Sequence, residues 1–368
     1  MSRIYFGGLN ELRAIAALAV VVHHIEQFKG MNGFVISNAN LSFLIYNLGK
    51  ASVNLFFVLS SFLITYLLLE EKMNNNGHIN IGKFYLRRIL RIWPLYYLIM
   101  FISFIIIPLM SNYCIFRYNK SILDLINNIE NYSFKSIMFY LSFLPQYGET
   151  VIGASQAWSI GVEEQFYLIM PLIFSFLNRK TFFLFVMFLG VTYFVPIIEI
   201  HNLLFEITKY YGIMGIGVIG GYLYFYNTKI INTFTKSNIM YFMIIMLISF
   251  FLVSMIFEKE WNKYILGILF LFLIVFTINK DNKMVLLNKK MSYLGKISYG
   301  IYMYHPFVLF LIFPLANKYF LIEYPNNIAY NIFLYLMIFI FTILLSTISY
   351  QFFESIFIKI KDEKYKVL

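Results

Sequence analysis

LNELRAIAALAVVVHHIEQF, residues 9–28, decides what kind of protein this is. A run of about 20 mostly apolar residues has the length of a bilayer-spanning helix, and a charge placed inside one is costly enough to point to function. Arg13 and His24 are the exceptions in this run, and eleven positions separate them. At about 100° per residue they return to within about 20° of one helix face, roughly 16 Å apart along the axis. His23, one residue earlier, is turned about 80° away from Arg13. One polar stripe thus carries a fixed cation and a titratable imidazole, the layout of a site inside a membrane.

The rest of the chain has the same solvent. Of its 368 residues 60% are apolar and 13% charged, against about 25% charged in a soluble domain. Mean hydropathy is +0.73. Net charge is +11, but the basic residues lie in short connectors between apolar runs, where they act as topology determinants, so nucleic acid is not the expected partner. The single cysteine, Cys114, excludes an internal disulfide and any cysteine-cluster metal site, and no metal is expected. No cleavable signal peptide is expected, because the first apolar run is span-length and carries Arg13 and His24.

Apolar runs of at least about 17 residues predict ten spans, near 9–28, 50–70, 92–110, 162–178, 182–200, 208–226, 238–257, 263–279, 298–316 and 328–357. The fold class is therefore an all-α integral membrane protein, a bundle of about ten transmembrane helices. A further piece, SIMFYLSFLPQY (136–147), is only 12 residues long and is read as interfacial or re-entrant. With ten spans, nineteen lysines and arginines fall on the side of both termini and nine on the other. That excess makes the N and C termini and the 280–296 connector cytoplasmic, with 111–161 and 317–327 outside. Residues 1–368 are expected to form a single transmembrane domain with no appended soluble domain, because the longest polar connectors are too short to fold alone.

Three further clusters interrupt the apolar pattern. In FYLRRILRIWPLYY (84–97), Arg88 and Arg91 lie three apart on one helix face, with Arg87 on the flank. Two guanidiniums on one face can clamp a phosphate, or they can be stop-transfer arginines snorkelling to headgroups. In QAWSIGVEEQFYLIMP (156–171), Glu163 and Glu164 open a span beside the interfacial aromatics Trp158 and Tyr167. A carboxylate at that depth needs a partner or water, or it can serve as an acidic helix start. In ISYGIYMYHPFV (297–308), His305 precedes Pro306. It suits either a bond to a carbonyl freed at the proline kink or a catalytic role.

Taken in order, LNELRAIAALAVVVHH (9–24), NLFFVLSSFLITYLL (54–68), FYLRRILRIWPLYY (84–97), WSIGVEEQFYLIMPLI (158–173) and ISYGIYMYHP (297–306) resemble acyltransferase family 3. These are polytopic bacterial membrane O-acyltransferases that acylate cell-envelope glycans. The resemblance implies a ten-helix domain that moves an acyl group, commonly acetyl, from coenzyme A to a hydroxyl. It maps the family's Arg-x10-His pair onto Arg13 and His24, its Arg-x-x-Arg pair onto Arg88 and Arg91, and its Trp-Ser…Glu motif onto Trp158, Ser159 and Glu163. Asn54, Ser61 and the ending Glu354-Ser355-Ile356-Phe357 depart from the pattern, which has Asp, Gly and Glu-Lys-Pro-Phe there.

The expected assignment follows. His24 is the general base, since acyl transfer to a hydroxyl needs one and neutral imidazole suits it. Glu163 is expected to orient or charge His24, Arg13 is counted with them among the catalytic residues, and Arg13, Arg88 and Arg91 are expected to hold the coenzyme A phosphates. Trp158, Ser159, Glu164 and His305 remain substrate-binding or structural candidates. No permanently bound cofactor is expected, with acyl-CoA, foremost acetyl-CoA, as co-substrate. The partners are acyl-CoA, an envelope glycan acceptor and the lipid bilayer of the bacterial cytoplasmic (inner) membrane, with no nucleic acid. Donor and acceptor would meet from opposite sides of that membrane. The rival classes are a transporter or flippase of envelope glycan precursors and a non-catalytic membrane partner, though the latter leaves the spaced arginine and histidine without work.

Overall fold

A computed structural model describes residues 6, 8–31, 39–110, 132–177, 210–234, 262–278, 288–319 and 328–364, with isolated positions between 181 and 250. The elements they form are helical. They are α1 (Leu9–Met31), α2 (Ala39–Asn74), α3 (Ile81–Phe101), α4 (Phe134–Leu141), α5 (Ala157–Phe176), α6 (Tyr211–Phe234), α7 (Asn262–Ile278), α8 (Lys289–Lys296), α9 (Ser298–Tyr319), α10 (Ile328–Ser349) and α11 (Ser355–Lys364). π-helical turns at Ile102–Ile106 and Tyr350–Glu354 extend α3 and join α10 to α11. Among the described residues four helices are long and apolar enough to cross a membrane, Asn47–Asn74, Ile81–Leu109, Ser298–Ala316 and Tyr330–Lys364.

The bundle shows its apolar residues outward. Along α10, Ile332, Leu336, Ile340, Leu344 and Ile348 recur every fourth position and all are exposed. A helix facing water would place polar residues on that stripe, so its solvent is lipid. This is a multi-pass membrane protein.

Several predicted segments are longer in the structure than their apolar cores. The run placed at 92–110 belongs to a helix that starts at Ile81, so Arg87, Arg88 and Arg91 ride on the helix itself and not in a connector. Asn80 caps it by accepting the Lys83 N–H at 2.9 Å. At the chain's other end, Ile356 stands where the family's ending carries proline, and α11 runs on unbroken to Lys364. The segment 136–147 forms the eight-residue α4 and a 3-10 turn at Pro145–Tyr147. At 1.5 Å per residue α4 cannot cross a bilayer. It is tied instead to α3, whose Tyr96 and Tyr97 hydroxyls donate to the Tyr140 and Leu141 carbonyls at 2.7 and 3.0 Å. The predicted spans 182–200 and 238–257 lie outside the described residues, apart from isolated positions.

The core sits around α2, which packs against α1, α5, α6 and α7. Phe57, Phe62 and Leu68 of α2, Leu95 and Tyr96 of α3, Phe174 of α5 and Val218 of α6 are fully or almost fully buried there. A second cluster joins α1, α9 and α10 through Val21, Ile25, Leu309, Phe313, Leu334 and Ile338. Without a hydrophobic drive between helices in lipid, close approach of small residues does the joining. Gly217 and Gly221, four apart on α6, supply it: a Cβ on Gly217 would collide with Ser61 Oγ and the Val58 carbonyl, and one on Gly221 would fall 2.6 Å from the Phe62 carbonyl. Ser61, a departure from the family pattern, fits here because its hydroxyl donates to the Phe57 carbonyl at 2.7 Å and faces a glycine.

Gly217→Leu should force α2 and α6 apart at the expense of about 1–3 kcal/mol or more, the usual penalty of overpacking. Thermal unfolding of the purified protein in detergent checks it. An unchanged Tm would mean that the two helices are not held by this contact.

Candidate active site

The site is a cavity of about 140 Å3 between α1, α2, α3, α5 and α9. Its volume has room for several water molecules or for a slender ligand arm. Arg13 comes from α1, Ser60 from α2, Arg88 and Arg91 from α3, Ser159, Glu163 and Tyr167 from α5, and Tyr299 and Tyr302 from α9. The 3.6-residue period explains each arrival: Arg88 and Arg91 share one face, as do Glu163 and Tyr167. The structure thus brings Arg13, on α1, to the Arg88–Arg91 pair of α3.

Charge is unbalanced in this cavity. Three guanidiniums line it against a single carboxylate, Glu163. That carboxylate is already engaged, accepting from Ser60 Oγ at 3.1 Å and from the Tyr167 hydroxyl at 2.7 Å. Arg88 lies over the rings of Phe84 and Tyr167, at 5.5 and 5.4 Å from their centroids, and its Nε is buried with no hydrogen-bond acceptor among the described residues. Arg91 Nη2 reaches the Lys296 carbonyl only at 3.5 Å. Guanidinium groups in an apolar bundle are stable where an anion or water completes them, and planar forks of this kind match phosphate.

The third arginine of the cluster has a different task. Arg87 turns away from the cavity to Glu71 at 2.7 Å, and Glu71 also accepts the Asn80 N–H at 3.0 Å. This ties the end of α2 to the start of α3.

Glu163 is not beside His24. It stands on the arginine side, on Ser60 and Tyr167, where its helix packs against α2 and α3. The expected role of orienting His24 therefore has no contact to carry it. His24 instead meets His305, with Nδ1 and Nε2 3.1 Å apart. Its Nδ1 also lies 3.0 Å from the Val20 carbonyl. His23 faces α2, with Nδ1 3.3 Å from the Ile45 carbonyl and its ring against Gly49. The two adjacent histidines thus point to different helices, as the stripe argument requires.

The remaining candidates divide. Ser159 lines the cavity and its Oγ is 2.7 Å from the Tyr302 hydroxyl. Trp158 lies outside the lining, its ring 5.0 Å from that of Tyr210 and 6.2 Å from that of Phe57. Glu164 also lies outside it, buried and accepting from Trp93 Nε1 at 3.0 Å. Ser60, Tyr167 and Tyr302 escaped sequence reading as site residues. The available signals were the paired serines inside an apolar run, and tyrosines placed four after Glu163 and three before His305. Tyr302 connects the two parts of the site: it lines the cavity, and its ring lies 5.8 Å from that of His305, which lies 4.8 Å from that of His24.

The acyltransferase-domain family, acyltransferase 3, matches residues 6–350. The chain belongs to this family. An O-acetyltransferase of Staphylococcus aureus (strain NCTC 8325), OatA, is 24% identical over 95% of this chain and 57% of its own length. A S. aureus (strain COL) protein provisionally named an O-acetyltransferase is 25% identical over 96% of this chain and 58% of its own length. A Bacillus subtilis protein provisionally named a peptidoglycan O-acetyltransferase, YrhL, is 30% identical over 46% of this chain and 23% of its own length. The chain spans somewhat over half the length of the Staphylococcus relatives it matches. No solved structure is significantly similar to it.

The contrast between neighbouring arginines is measurable in this acyltransferase-family protein. Arg87→Ala breaks a largely buried charge-assisted bond and should lower stability by about 1.5–3 kcal/mol. Arg88→Ala removes a cation that makes no salt bridge to a carboxylate among the described residues, and should cost less. Unfolding of both variants without ligand decides it, and an equal or larger loss for Arg88→Ala would show that Arg88 is structural.

Proposed function

We propose that this protein is an O-acyltransferase of the bacterial cytoplasmic membrane, moving an acyl group, foremost acetyl, from acyl-CoA to a hydroxyl of an envelope glycan. The observation that carries the reading is the cavity in which Arg13, Arg88 and Arg91 face a single, already engaged carboxylate. Such a lining suits an anionic ligand, and coenzyme A carries phosphates at one end and the reactive thioester at the other. The O-acetyltransferase names of the relatives support the reaction class, and the peptidoglycan named for the Bacillus protein supports a glycan acceptor.

In this reading ten spans place both termini and the arginine end of the cavity on the cytoplasmic side, by the excess of lysine and arginine there. The phosphates sit on the three guanidiniums, and the pantetheine arm runs past Ser159 and Tyr302 toward His24. The acceptor arrives from the outer side. Its hydroxyl oxygen attacks the thioester carbonyl carbon as the hydroxyl proton passes to His24, the C–S bond breaks, and the departing coenzyme A sulfur takes up that proton. Glu163 serves the donor side, fixing Tyr167 and Ser60 and spacing the arginines.

Binding of acetyl-CoA to the purified protein tests the donor. Arg88→Ala and Arg91→Ala should each weaken it roughly ten- to a hundredfold, since charge-assisted phosphate contacts contribute about 1.5–3 kcal/mol. Arg87→Ala should leave it unchanged. Glu163→Gln removes the opposing charge and should keep or tighten binding, by roughly two- to tenfold. Unchanged affinity in both Arg88 and Arg91 variants would sink the donor assignment. Mass spectrometry of envelope glycans from cells with and without the protein tests the acceptor class, and an unaltered acyl content would count against a glycan.

A further inference from the structure

Two backbone carbonyls fix the protons of the histidine pair. His305 is fully buried on α9 and its Nδ1 lies 3.3 Å from the Ile301 carbonyl, one helical turn back. His24 Nδ1 lies 3.0 Å from the Val20 carbonyl, also one turn back. A carbonyl oxygen only accepts, so both Nδ1 atoms carry hydrogen. In a neutral ring the other nitrogen, Nε2, then has a lone pair. His305 Nε2 is 3.1 Å from His24 Nδ1, and with these protons it is the acceptor of a hydrogen that His24 shares between it and Val20. The opposite arrangement, with His305 Nε2 donating, would set two lone pairs against two carbonyl oxygens.

We infer that His305 is a positioning residue: by accepting the Nδ1 hydrogen of His24 it holds that ring in place and leaves His24 Nε2 as the free base. The inference rests on the reading that His24 takes the acceptor's proton. The contact is long-range, with 281 positions between the two residues, so it joins α1 to α9 across the bundle. It also gives the imidazolium that forms during transfer a partner, since His305 Nε2 can accept from His24 Nδ1–H whether or not His24 Nε2 is protonated. Tyr302, one turn before His305, places the same helix in the cavity wall, so a ligand that seats against Tyr302 lies beside the pair.

Three variants and one spectrum test it. His305→Leu removes the acceptor and should lower kcat roughly tenfold or more, a part of the 10²–10⁴ that a positioned base contributes, with KM for acetyl-CoA unchanged. His305→Gln, whose amide oxygen can accept the same hydrogen, should recover most of the rate, which a packing role would not predict. His24→Ala should be inactive. The chain has five histidines, so nitrogen-15 labelling of histidine gives a spectrum simple enough to show His24 with a protonated Nδ1 and a bare Nε2. The Val20 carbonyl keeps the hydrogen on Nδ1 in every variant, so the tautomer should persist, while the Nδ1–H proton resonance should move upfield in His305→Leu and stay in place in His305→Gln. Full turnover of His305→Leu beside an inactive His24→Ala would overturn the inference alone. Full turnover of His24→Ala would overturn the base assignment and the inference with it. Should the chain transfer no acyl group at all, the nitrogen spectrum still decides the pairing, and a bare His24 Nδ1 would refute it.

Discussion

Positive charge held inside an apolar bundle is the constraint on which the rest of this structure depends. Arg13, Arg88 and Arg91 converge on one cavity from two helices, and a guanidinium turned from it to lipid would be costly. The bundle accommodates them by keeping a cavity where tight packing would otherwise fill space. It supplies hydroxyls and phenols from α2, α5 and α9, and brings in Glu163 through Ser60 and Tyr167 and not through the arginines directly. On another face of α2, Gly217 and Gly221 let α6 approach closely.

What the sequence reveals of this site is what lies along single helices. The stripe of Arg13 and His24 and the Arg88–Arg91 face are consequences of a 3.6-residue period, and both are present in the structure. What joins different helices was not legible. The expectation of Glu163 beside His24 rests on both lying toward the outer ends of their spans, but α5 begins at Ala157, so Glu163 sits about 9 Å into its helix, in the arginine cavity and away from His24. The partner that His24 does have, His305, comes from a helix 281 positions on. Its own proline suggested a local role as readily as a tertiary one. Helix starts were also misjudged where they are polar: α3 begins at Ile81 because Asn80 caps it and Glu71 holds Arg87, none of which an apolar window can register.

The adjacent histidines show how much a single helical step decides. His23 and His24 share composition, depth and neighbours in sequence, yet one ring is packed on Gly49 against α2 and the other meets α9. A substitution at His23 therefore acts on helix packing, whereas one at His24 acts on the face that continues down to Arg13. The same reasoning separates Arg87 from Arg88, and Glu164 from Glu163. In each pair one member bonds to a structural partner, Glu71 or Trp93, and the other lines the cavity.

Separation between the arginines and the imidazole is itself a chemical requirement. A base that becomes an imidazolium in the transition state is penalised by every cation nearby. At an effective dielectric of about 20, a cation 5 Å away costs about 3 kcal/mol and one 16 Å away about 1 kcal/mol. Three guanidiniums at close range would together oppose the proton transfer by about 10 kcal/mol, enough to cancel the gain from a positioned base. In the proposed reaction, setting Arg13 eleven residues from His24 keeps a cation for the donor's phosphates while removing most of that penalty. It also fixes the shape of the ligand that can use both ends. Such a ligand has an anionic head, a slender arm about as long as three helical turns, and its reactive carbon at the far tip. The proposed donor, a coenzyme A thioester, is built in that way, and a compact acyl donor such as acyl phosphate could not occupy the arginines and reach His24 at once.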